Sequence, residues 1–195
     1  ASCAVEKDGG DDPDVTDGTL VYARVEKTET PGVTIDGGEG VGRVTKPGLD
    51  QPVGAAAINS TPRRMIREQL EAAMAQHHYT GGLAVMISVP AGIELAKRTF
   101  NPRLGIVGGI SVLGTSGIVR PMSEEALIES NRLEMSTVRA RGARHILVTP
   151  GNYGEDFSRD VLGLDLRDWA LCSNYVGDAI DCAVGLGFES FLLVG

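Results

Sequence analysis

The stretch from Asn101 to Ser123 concentrates glycines and small polar side chains between two apolar runs. Glycine tolerates positive φ and lets the backbone approach a ligand closely, while hydroxyl groups add hydrogen-bond donors. A tight crossover between two domains would explain the same composition, and the sequence leaves both interpretations open. The candidate ligand-binding residues of this stretch are Gly108, Gly109, Gly114, Thr115, Ser116 and Gly117.

An acidic stretch from Asp8 to Asp17 holds five aspartates in ten residues. Such clusters can bind cations, but this one lacks the residue order and terminal glutamate of an EF-hand, and acidic turns are commonly just solvated. The three histidines form no i,i+4 pair. We therefore predict no protein-held metal.

The segment Gly37 to Leu49 places glycines on both sides of Arg43 and Lys46. It lacks the GxxxxGK[ST] order of a phosphate loop and the GxGxxG order of a dinucleotide-binding turn, and Pro47 interrupts any helix. Binding of a nucleotide phosphate is therefore a weak second interpretation of this segment.

The run Ala57 to Arg64 combines the amide of Asn59, a helix start and the guanidinium of Arg63, which together suit an anion. The alternative is that Arg63, Arg64 and Arg67 form the solvated face of an amphipathic helix.

The motif PGNYG at 150–154 follows a predicted parallel strand, and open α/β sheets bind ligands at the carboxyl ends of their strands. An ordinary loop between strand and helix is an equally good explanation. Asn174 and Asp178 lie in the first turn of the next predicted helix, where capping alone would explain Asn174. The candidate ligand-binding residues of this half are Gly151, Asn152, Tyr153, Gly154, Asn174 and Asp178.

Periodicity predicts the elements that position these residues. Thr19–Lys27 alternates like a half-buried strand and would form a hairpin with Val33–Asp36. Ser60 and Thr61 offer a hydroxyl N-cap to a helix whose first residue would be Pro62. An apolar strand over Leu83–Val89 and a short helix after Pro90 complete an α+β unit.

The second half alternates strands and helices. We predict a helix that opens at Pro121–Glu125, runs to about Arg141 and is ended by Gly142. After it we predict a strand over His145–Thr149, the loop PGNYGED, an apolar run over 169–172, and a helix capped by Asn174. Glu189–Gly195 resembles a buried parallel strand that stops before its covering helix, and the chain starts without Met. We therefore expect truncation at both ends.

Composition narrows the class of protein. The net charge of −8 and the pI of about 4.9 argue against a nucleic-acid binder. The odd number of cysteines and the lack of CxxC spacing predict a reducing compartment, and no apolar run reaches transmembrane length. We expect a cytoplasmic protein with no membrane partner, while the oligomeric state cannot be read from the sequence.

Several strings together resemble the CbiD family of cobalt-precorrin-5B C(1)-methyltransferases in anaerobic cobalamin biosynthesis. They are KDGGDDPDVT, GVGRVTKPGL, NPRLGIVGGISVLGTSGIVRPMS, TPGNYG, NYVGD and FLLVG, in that order along the chain. One departure is INS at 58–60, where the family usually has an INP-type sequence.

The resemblance implies an α+β domain related to a permuted ribosomal-protein-S5-like fold, followed by a small α/β domain with a parallel sheet. We expect the first domain to span residues 1–120 and the second 121–195, incomplete at the N-terminus and C-terminus respectively. The alternation of strands and helices in the second half agrees with this architecture.

The resemblance also implies methyl transfer from S-adenosylmethionine to carbon 1 of cobalt-precorrin-5B, with cobalt carried by the substrate. The ligand-binding glycines and the PGNYG, Asn174 and Asp178 positions would then hold the methyl donor. Asp12 or Asp14 would accept a proton. The residues expected to contact the tetrapyrrole are Asp11, Arg43, Lys46, Asn59 and Arg63.

Two other functions stay open at this point. An S5-like domain also occurs in small-molecule kinases, which would use Gly108 to Gly117 for ATP, although no recognisable phosphate loop is present. A non-catalytic tetrapyrrole-binding module is the other alternative.

Overall fold

The computed structural model describes residues 1–10, 15–99, 101–114 and 124–195. It has a mixed α/β architecture and divides into two compact units. Unit 1 consists of residues 1–46 and 50–121, and unit 2 consists of residues 47–49 and 122–195.

The elements described in unit 1 are, in chain order, β1 (Ser2–Glu6), β2 (Leu20–Thr28), β3 (Gly32–Gly37), β4 (Gly40–Val41), β5 (Arg43–Val44), α1 (Ser60–Gln76), β6 (Gly82–Ser88), α2 (Gly92–Leu95), a 3₁₀ turn (Ala96–Arg98), α3 (Asn101–Leu104), β7 (Ile106–Val107) and β8 (Gly109–Ile110).

Four strands of unit 1 form a mixed sheet in the order β1-β2-β6-β3. β6 pairs antiparallel with β2 and parallel with β3. The predicted hairpin between β2 and β3 is therefore wrong, because α1 carries the chain back so that β6 inserts between them. In this central position β6 hydrogen-bonds on both edges and buries Val85 and Ile87 in the core.

The core of unit 1 lies on one face of this sheet. Alternate residues point to the same face of a strand, and Val25, Val85 and Ile35 belong to one apolar cluster across three strands. Ile66 and Leu70 of α1, four residues apart, pack against this cluster from outside the sheet. The helix thus covers one face, which leaves Tyr22, Arg24, Asp36 and Met86 for the other.

The start of α1 differs from the prediction. Asn59 occupies the N-cap without a side-chain capping bond, and Pro62 is the third helical residue rather than the first. Ser60 is already helical, so its hydroxyl is not the N-cap acceptor. Instead, the carboxylate of Asp50 accepts hydrogen bonds from the backbone N–H and from the hydroxyl of Ser60. An acceptor from a preceding loop therefore replaces the N-cap side chain.

The elements described in unit 2 are α4 (Glu124–Ala140), β9 (His145–Thr149), α5 (Asn152–Asp160), a 3₁₀ turn (Leu166–Asp168), β10 (Trp169–Leu171), α6 (Val176–Gly185) and β11 (Ser190–Leu193). The predicted start of α4 at Pro121–Ser123 lies outside the described residues. Its end agrees with the prediction, since Gly142 follows with a φ of 94°.

The three strands of unit 2 form a parallel sheet in the order β10-β9-β11. β9 is buried on both faces. Ile146 and Val148 pack in a cluster with residues of α4 and α6, whereas Leu147 packs with Trp169 on the opposite face. Helices on both faces of a parallel sheet are the arrangement that βαβ connections produce.

Two predictions for unit 2 are wrong in detail. Helix α5 occupies most of the segment that we predicted as the loop PGNYGED, because glycine, asparagine and aspartate concealed its helical character. The final strand was expected to be buried, but β11 is an edge strand, and Leu192 and Leu193 are 49% and 44% exposed.

Candidate functional site

The two glycine-rich segments of unit 1 lie against each other. Gly40 of β4 pairs in parallel with Gly109 of β8, and β5 pairs antiparallel with β7. A Cβ atom at Gly109 would lie 2.2 Å from the carbonyl oxygen of Gly40, and one at Gly92 would lie equally close to the same oxygen. The close backbone approach expected around Gly109 is thus made to another part of unit 1.

The neighbouring glycines of the same stretch are placed differently. Gly108 and Gly114 are exposed and have positive φ. A Cβ atom at either position would have no heavy atom of the described residues within 4 Å beyond the chain neighbours. Their backbone is therefore accessible to a ligand. Thr115, Ser116 and Gly117 lie outside the described residues.

Arg43 forms a two-pronged ion pair with Asp36 at the edge of the four-stranded sheet. Its Nη1 donates to Oδ1 over 2.6 Å, its Nη2 donates to Oδ2 over 3.1 Å, and Nη2 also donates to the carbonyl of Gly37. The Arg43 guanidinium holds the pKa of the Asp36 carboxyl below its ordinary value, with a smaller contribution from the backbone N–H of Gly37. Both side chains remain about half exposed.

Lys46 lies beside the second glycine-rich segment. A Cβ atom at Gly105 would lie 2.5 Å from Cγ of Lys46, so the alkyl part of the lysine packs directly over this glycine. The carbonyl of Gly105 accepts hydrogen bonds from the backbone N–H and the hydroxyl of Thr45. The glycine at 105 therefore lets residues 45–46 lie close to the 105–107 segment.

Arg63 has a structural role that the sequence does not reveal. Its guanidinium donates to three backbone carbonyls, from Nε to Ile58 over 2.8 Å, from Nη1 to Ile35 over 2.7 Å, and from Nη2 to Ala56 over 3.2 Å. It thereby joins the start of α1 to β3 and to the segment before the helix.

Asn59 occupies the N-cap beside these residues. Its backbone N–H donates to Val112, and its carbonyl accepts from the backbone N–H of Arg63. Burial lowers the pKa of Arg63, while the nearby carboxylates of Asp36 and Asp50 act in the opposite direction. The structure therefore brings Arg43, Asn59 and Arg63 into one neighbourhood, together with Asp36 and Asp50, which the sequence patterns did not single out.

The acidic stretch is described only at its two flanks, because Asp11, Asp12 and Asp14 lie outside the described residues. Asp8 accepts from the backbone N–H of Gly10, and Asp17 accepts from that of Gly9. Glu6 pairs with Leu20, while Gly37 pairs with Ile87. By this register, the chain between β1 and β2 leaves the sheet at the end where β3 and β6 finish.

In unit 2 the PGNYG motif lies at the carboxyl end of β9, as predicted from the sequence. Gly151 is the N-cap of α5, and no side chain of the described residues caps this helix start. A Cβ atom at Gly151 would meet none of the described atoms outside its chain neighbours. Tyr153 is 94% exposed. An exposed aromatic ring beside backbone N–H groups suits a planar heterocycle with polar substituents.

Gly154 has a packing role within α5. It is buried, and a Cβ atom there would lie 2.7 Å from the carbonyl oxygen of Val194 and 2.8 Å from Cβ of Thr149. The start of α5 therefore packs closely against the ends of β9 and β11. The connection after β9 lies on one face of the sheet, and the connection after β10 lies on the other face. The carboxyl ends of β9 and β11 therefore form the switch point, which is where such sheets bind ligands.

Asn174 and Asp178 follow β10 at the same edge of the sheet. The N-cap of α6 is Tyr175 rather than Asn174, because the backbone N–H of Tyr175 closes a turn onto Cys172 and the helix begins one residue later than predicted. Asp178 lies in the first turn of α6 and lines a narrow cleft between α4 and α6 with Asn131, Arg132 and Cys182, among others. The amide Nδ2 of Asn131 is buried there without a partner in the described part of the chain.

The described ranges contain no metal-binding group of side chains and no helix able to span a membrane. Within residues 1–10, 15–99, 101–114 and 124–195, no group of three histidine, cysteine or acidic side chains is arranged to hold a metal ion. The helices in these ranges are too short or too polar to span a membrane. Burial raises the pKa of the thiols of Cys172 and Cys182, which disfavours their reactive thiolate form.

Asp36 and Asp50 were missed because neither falls within a local motif. Asp36 ends a strand seven residues before Arg43, and Asp50 precedes Ser60 by ten residues. A carboxylate shortly before a strong helix start was the available signal for Asp50.

Comparison with known proteins relates these features to a family. Three curated relatives named cobalt-precorrin-5B C(1)-methyltransferase, from Ruminiclostridium cellulolyticum, Thermoanaerobacter sp. and Geobacillus kaustophilus, are 54%, 48% and 47% identical over 194, 193 and 196 residues. These matches cover 99–100% of this chain and 50–53% of each relative. The chain thus spans about half the length of the curated relatives it matches.

A solved structure and a family model agree with these matches. A 1.9 Å crystal structure of a cobalamin biosynthesis protein (CbiD) from Archaeoglobus fulgidus is 26% identical, with a TM-score of 0.51, over 100% of this chain and 70% of that chain. The family model described as CbiD matches residues 1–121. On this evidence, and as the motifs predict, the chain belongs to the CbiD family.

Proposed function

We propose that this protein transfers a methyl group from S-adenosylmethionine to carbon 1 of cobalt-precorrin-5B, giving cobalt-precorrin-6A in anaerobic cobalamin biosynthesis. The observation that carries this proposal is the 54% identity to a relative named cobalt-precorrin-5B C(1)-methyltransferase, which extends over all of this chain. Cobalt belongs to the substrate, so the protein needs no metal-binding side chains of its own.

The carboxyl edge of the three-stranded sheet is the donor site that we favour. S-adenosylmethionine supplies an activated methyl group when bound. The residues around Tyr153 fit such a group, because its exposed ring can stack on an adenine, and the start of α5 offers backbone N–H groups. The amides of Asn152 and Asn174 and the carboxylate of Asp178 can bind hydroxyl or ammonium groups.

The glycines divide into two classes under this proposal. Gly151 borders the donor, whereas Gly154 shapes the site by letting α5 pack against Val194. We leave Gly109 out of the proposed donor site, because the backbone of Gly40 fills the space beside it. A second donor site around Gly108 and Gly114 is an alternative, and it would include Thr115, Ser116 and Gly117.

The tetrapyrrole would bind to unit 1. Arg43 is our first choice for a peripheral carboxylate, because its guanidinium is exposed and already oriented by Asp36. Lys46 and Asn59 are further candidates, as is Asp11. Arg63 is a weaker choice than the sequence indicated, because it is engaged by three carbonyls.

The chemical step needs alignment of the nucleophilic ring carbon more than it needs a strong acid or base. Asp12 or Asp14 is our proposal for the group that accepts the proton lost from the ring. The permuted S5-like description of unit 1 and the cytoplasmic location also remain part of this proposal.

Anaerobic incubation of the protein with cobalt-precorrin-5B and methyl-labelled S-adenosylmethionine tests the activity. We expect a labelled corrinoid by mass spectrometry. No label despite corrinoid binding would favour a non-catalytic binding module. Binding of ATP in place of S-adenosylhomocysteine would favour a phosphotransferase, although the comparisons lend neither alternative support.

The donor site has its own test. Tyr153→Ala should weaken binding of S-adenosylhomocysteine about tenfold, because stacking on an aromatic ring contributes about 1–3 kcal/mol. Its thermal stability should match that of the unsubstituted protein, since the ring is exposed. Val161→Ala, just beyond the other end of the same helix, is the control. Unchanged binding by the Tyr153 variant would move the donor to the Gly108–Gly114 segment.

A further inference from the structure

The face of the four-stranded sheet opposite α1 carries an ordered row of side chains. Arg24 of β2 lies opposite Met86 of β6, and Met86 lies opposite Asp36 of β3. Two residues along these strands, and therefore on the same face, Tyr22 lies opposite Ser88. We call these five residues the open face. Their chain neighbours Ala23, Val85, Ile87 and Ile35 point into the core under α1.

The centre of the open face is apolar, and each of its two sides carries an arginine paired with a carboxylate. Met86 and Tyr22 are 39% and 36% exposed, although Met86 belongs to a central strand. Arg24 is on one side, bonded to Glu26. Arg43 is on the other side, where Asp36 holds it.

The spacing of these groups is set by the sheet. Arg24 and Asp36 are separated by two strand spacings, which is about 10 Å. A guanidinium has five N–H donors, and the hydrogen bonds given above for the described residues use only some of them. Each arginine can therefore bind an additional carboxylate while its acidic neighbour keeps it oriented.

Gly38 keeps this surface accessible. A Cβ atom at this position would lie 2.4 Å from Oγ of Ser88 and 3.1 Å from Cγ of Met86. A side chain at residue 38 would therefore displace both groups and stand over them. The open face also lies at the end of the sheet at which the acidic stretch leaves β1.

We propose that the open face binds the tetrapyrrole macrocycle, with the ring over Tyr22 and Met86 and peripheral carboxylates on Arg24 and Arg43. The inference rests on the proposed function for the identity of the ligand. A planar ring with acidic groups around its rim matches an apolar centre with an arginine on either side. The new elements are the sheet face as the platform and the roles of Tyr22, Arg24 and Met86.

Titration with uroporphyrin, a stable carboxylate-rich tetrapyrrole, measures this binding by fluorescence. Arg24→Gln and Arg43→Gln should each weaken binding about tenfold, which corresponds to about 1.4 kcal/mol per arginine. Met86→Glu should weaken it by at least as much through repulsion, while Met86→Leu should keep it. Arg144→Gln removes an arginine that is as exposed as Arg24 and is paired with Glu189 in unit 2, and this variant should bind like the unsubstituted protein.

Two results would overturn this assignment. The first is unchanged binding, and an unchanged KM for cobalt-precorrin-5B in the methyl-transfer assay, when both arginines are replaced. That result would leave the proposed function intact. The second is a dimer, detected by sedimentation, that dissociates in the Met86→Glu variant. The open face would then be covered by a second copy of this chain.

The proposed function fails in a distinguishable way. If the unsubstituted protein neither transfers methyl to cobalt-precorrin-5B nor binds uroporphyrin, both proposals fall together. If it transfers methyl, and only the open-face variants lose affinity for the tetrapyrrole, both are supported. Circular dichroism of each variant establishes that the exposed substitutions leave the fold unchanged.

Discussion

Gly109 lies so close to Gly40 that a single methyl group between them would sit 2.2 Å from the Gly40 carbonyl oxygen. The two residues belong to the two glycine-rich segments whose composition resembles ligand loops. Their pairing joins β4 to β8 within unit 1. At this point of the chain, glycine is required because backbone packs on backbone.

This contact predicts that Gly109→Ala destabilises the protein by about 2–3 kcal/mol, because the backbone must shift to accept the methyl group. Urea unfolding followed by circular dichroism measures the change. The control is Gly185→Ala at the end of α6, where a Cβ atom would meet none of the described atoms outside its own helix. That variant should be neutral or more stable by about 0.5 kcal/mol. Equal stability of the two variants would contradict the packing role of Gly109.

The second prediction concerns the cap of α1. Asp50→Ala removes the acceptor for the backbone N–H and the hydroxyl of Ser60 and should cost about 1 kcal/mol. Asp50→Asn keeps one carbonyl oxygen and should recover part of this loss. Thermal unfolding distinguishes the variants. If Asp50→Ala and the unsubstituted protein have the same melting temperature, the Asp50–Ser60 contact contributes nothing to stability.

Acidification should destabilise unit 1 through the same carboxylates. Burial of Asp50 disfavours its charge, but the hydrogen bonds from Ser60 and Gln51 and the charge of Arg63 together outweigh that effect and lower its pKa. The pKa of Asp36 is lowered chiefly by Arg43. A lowered folded-state pKa means that the stabilisation is present above the unfolded-state pKa, about 4, and is lost as the pH falls through the folded-state value.

The measurement for this prediction is the melting temperature between pH 7 and pH 3. The double variant Asp36→Asn and Asp50→Asn should lose less stability below about pH 4 than the unsubstituted protein does. The difference should be modest, because Asp36 and Asp50 are both exposed and solvent screens their interactions. If the melting temperatures of the two proteins fall in parallel with pH, neither carboxylate is the source of the acid destabilisation.

Arg63 separates two interpretations of the segment before α1. Arg63→Met should destabilise the protein by about 2–3 kcal/mol, because the carbonyls of Ile35, Ala56 and Ile58 lose a charged donor. Arg64→Met, which removes an exposed arginine paired with Glu68, should change stability by less than about 0.5 kcal/mol. Unchanged stability of Arg63→Met with a loss of uroporphyrin binding would instead assign Arg63 to the substrate.

Much of the secondary structure could be predicted from local pattern. Apolar alternation located β2 and β3, and the glycine at 142 located the end of α4, because these signals act over a few neighbouring residues. Helix α5 could not be predicted in the same way. Gly154 weakens its intrinsic helical preference, and the residue is favoured there because Thr149 and Val194, the latter forty residues later, leave no room for a side chain.

The same distinction between local pattern and contacts of remote residues applies to the candidate site. The sequence by itself determined the family, the position of PGNYG after a parallel strand, and which side chains carry charge, since these follow from residue type and order. The tertiary structure decided what each one contacts. It paired Gly109 with Gly40, Arg63 with three carbonyls and Arg43 with Asp36, because hydrogen bonds and close packing depend on distances that pairing of remote segments creates.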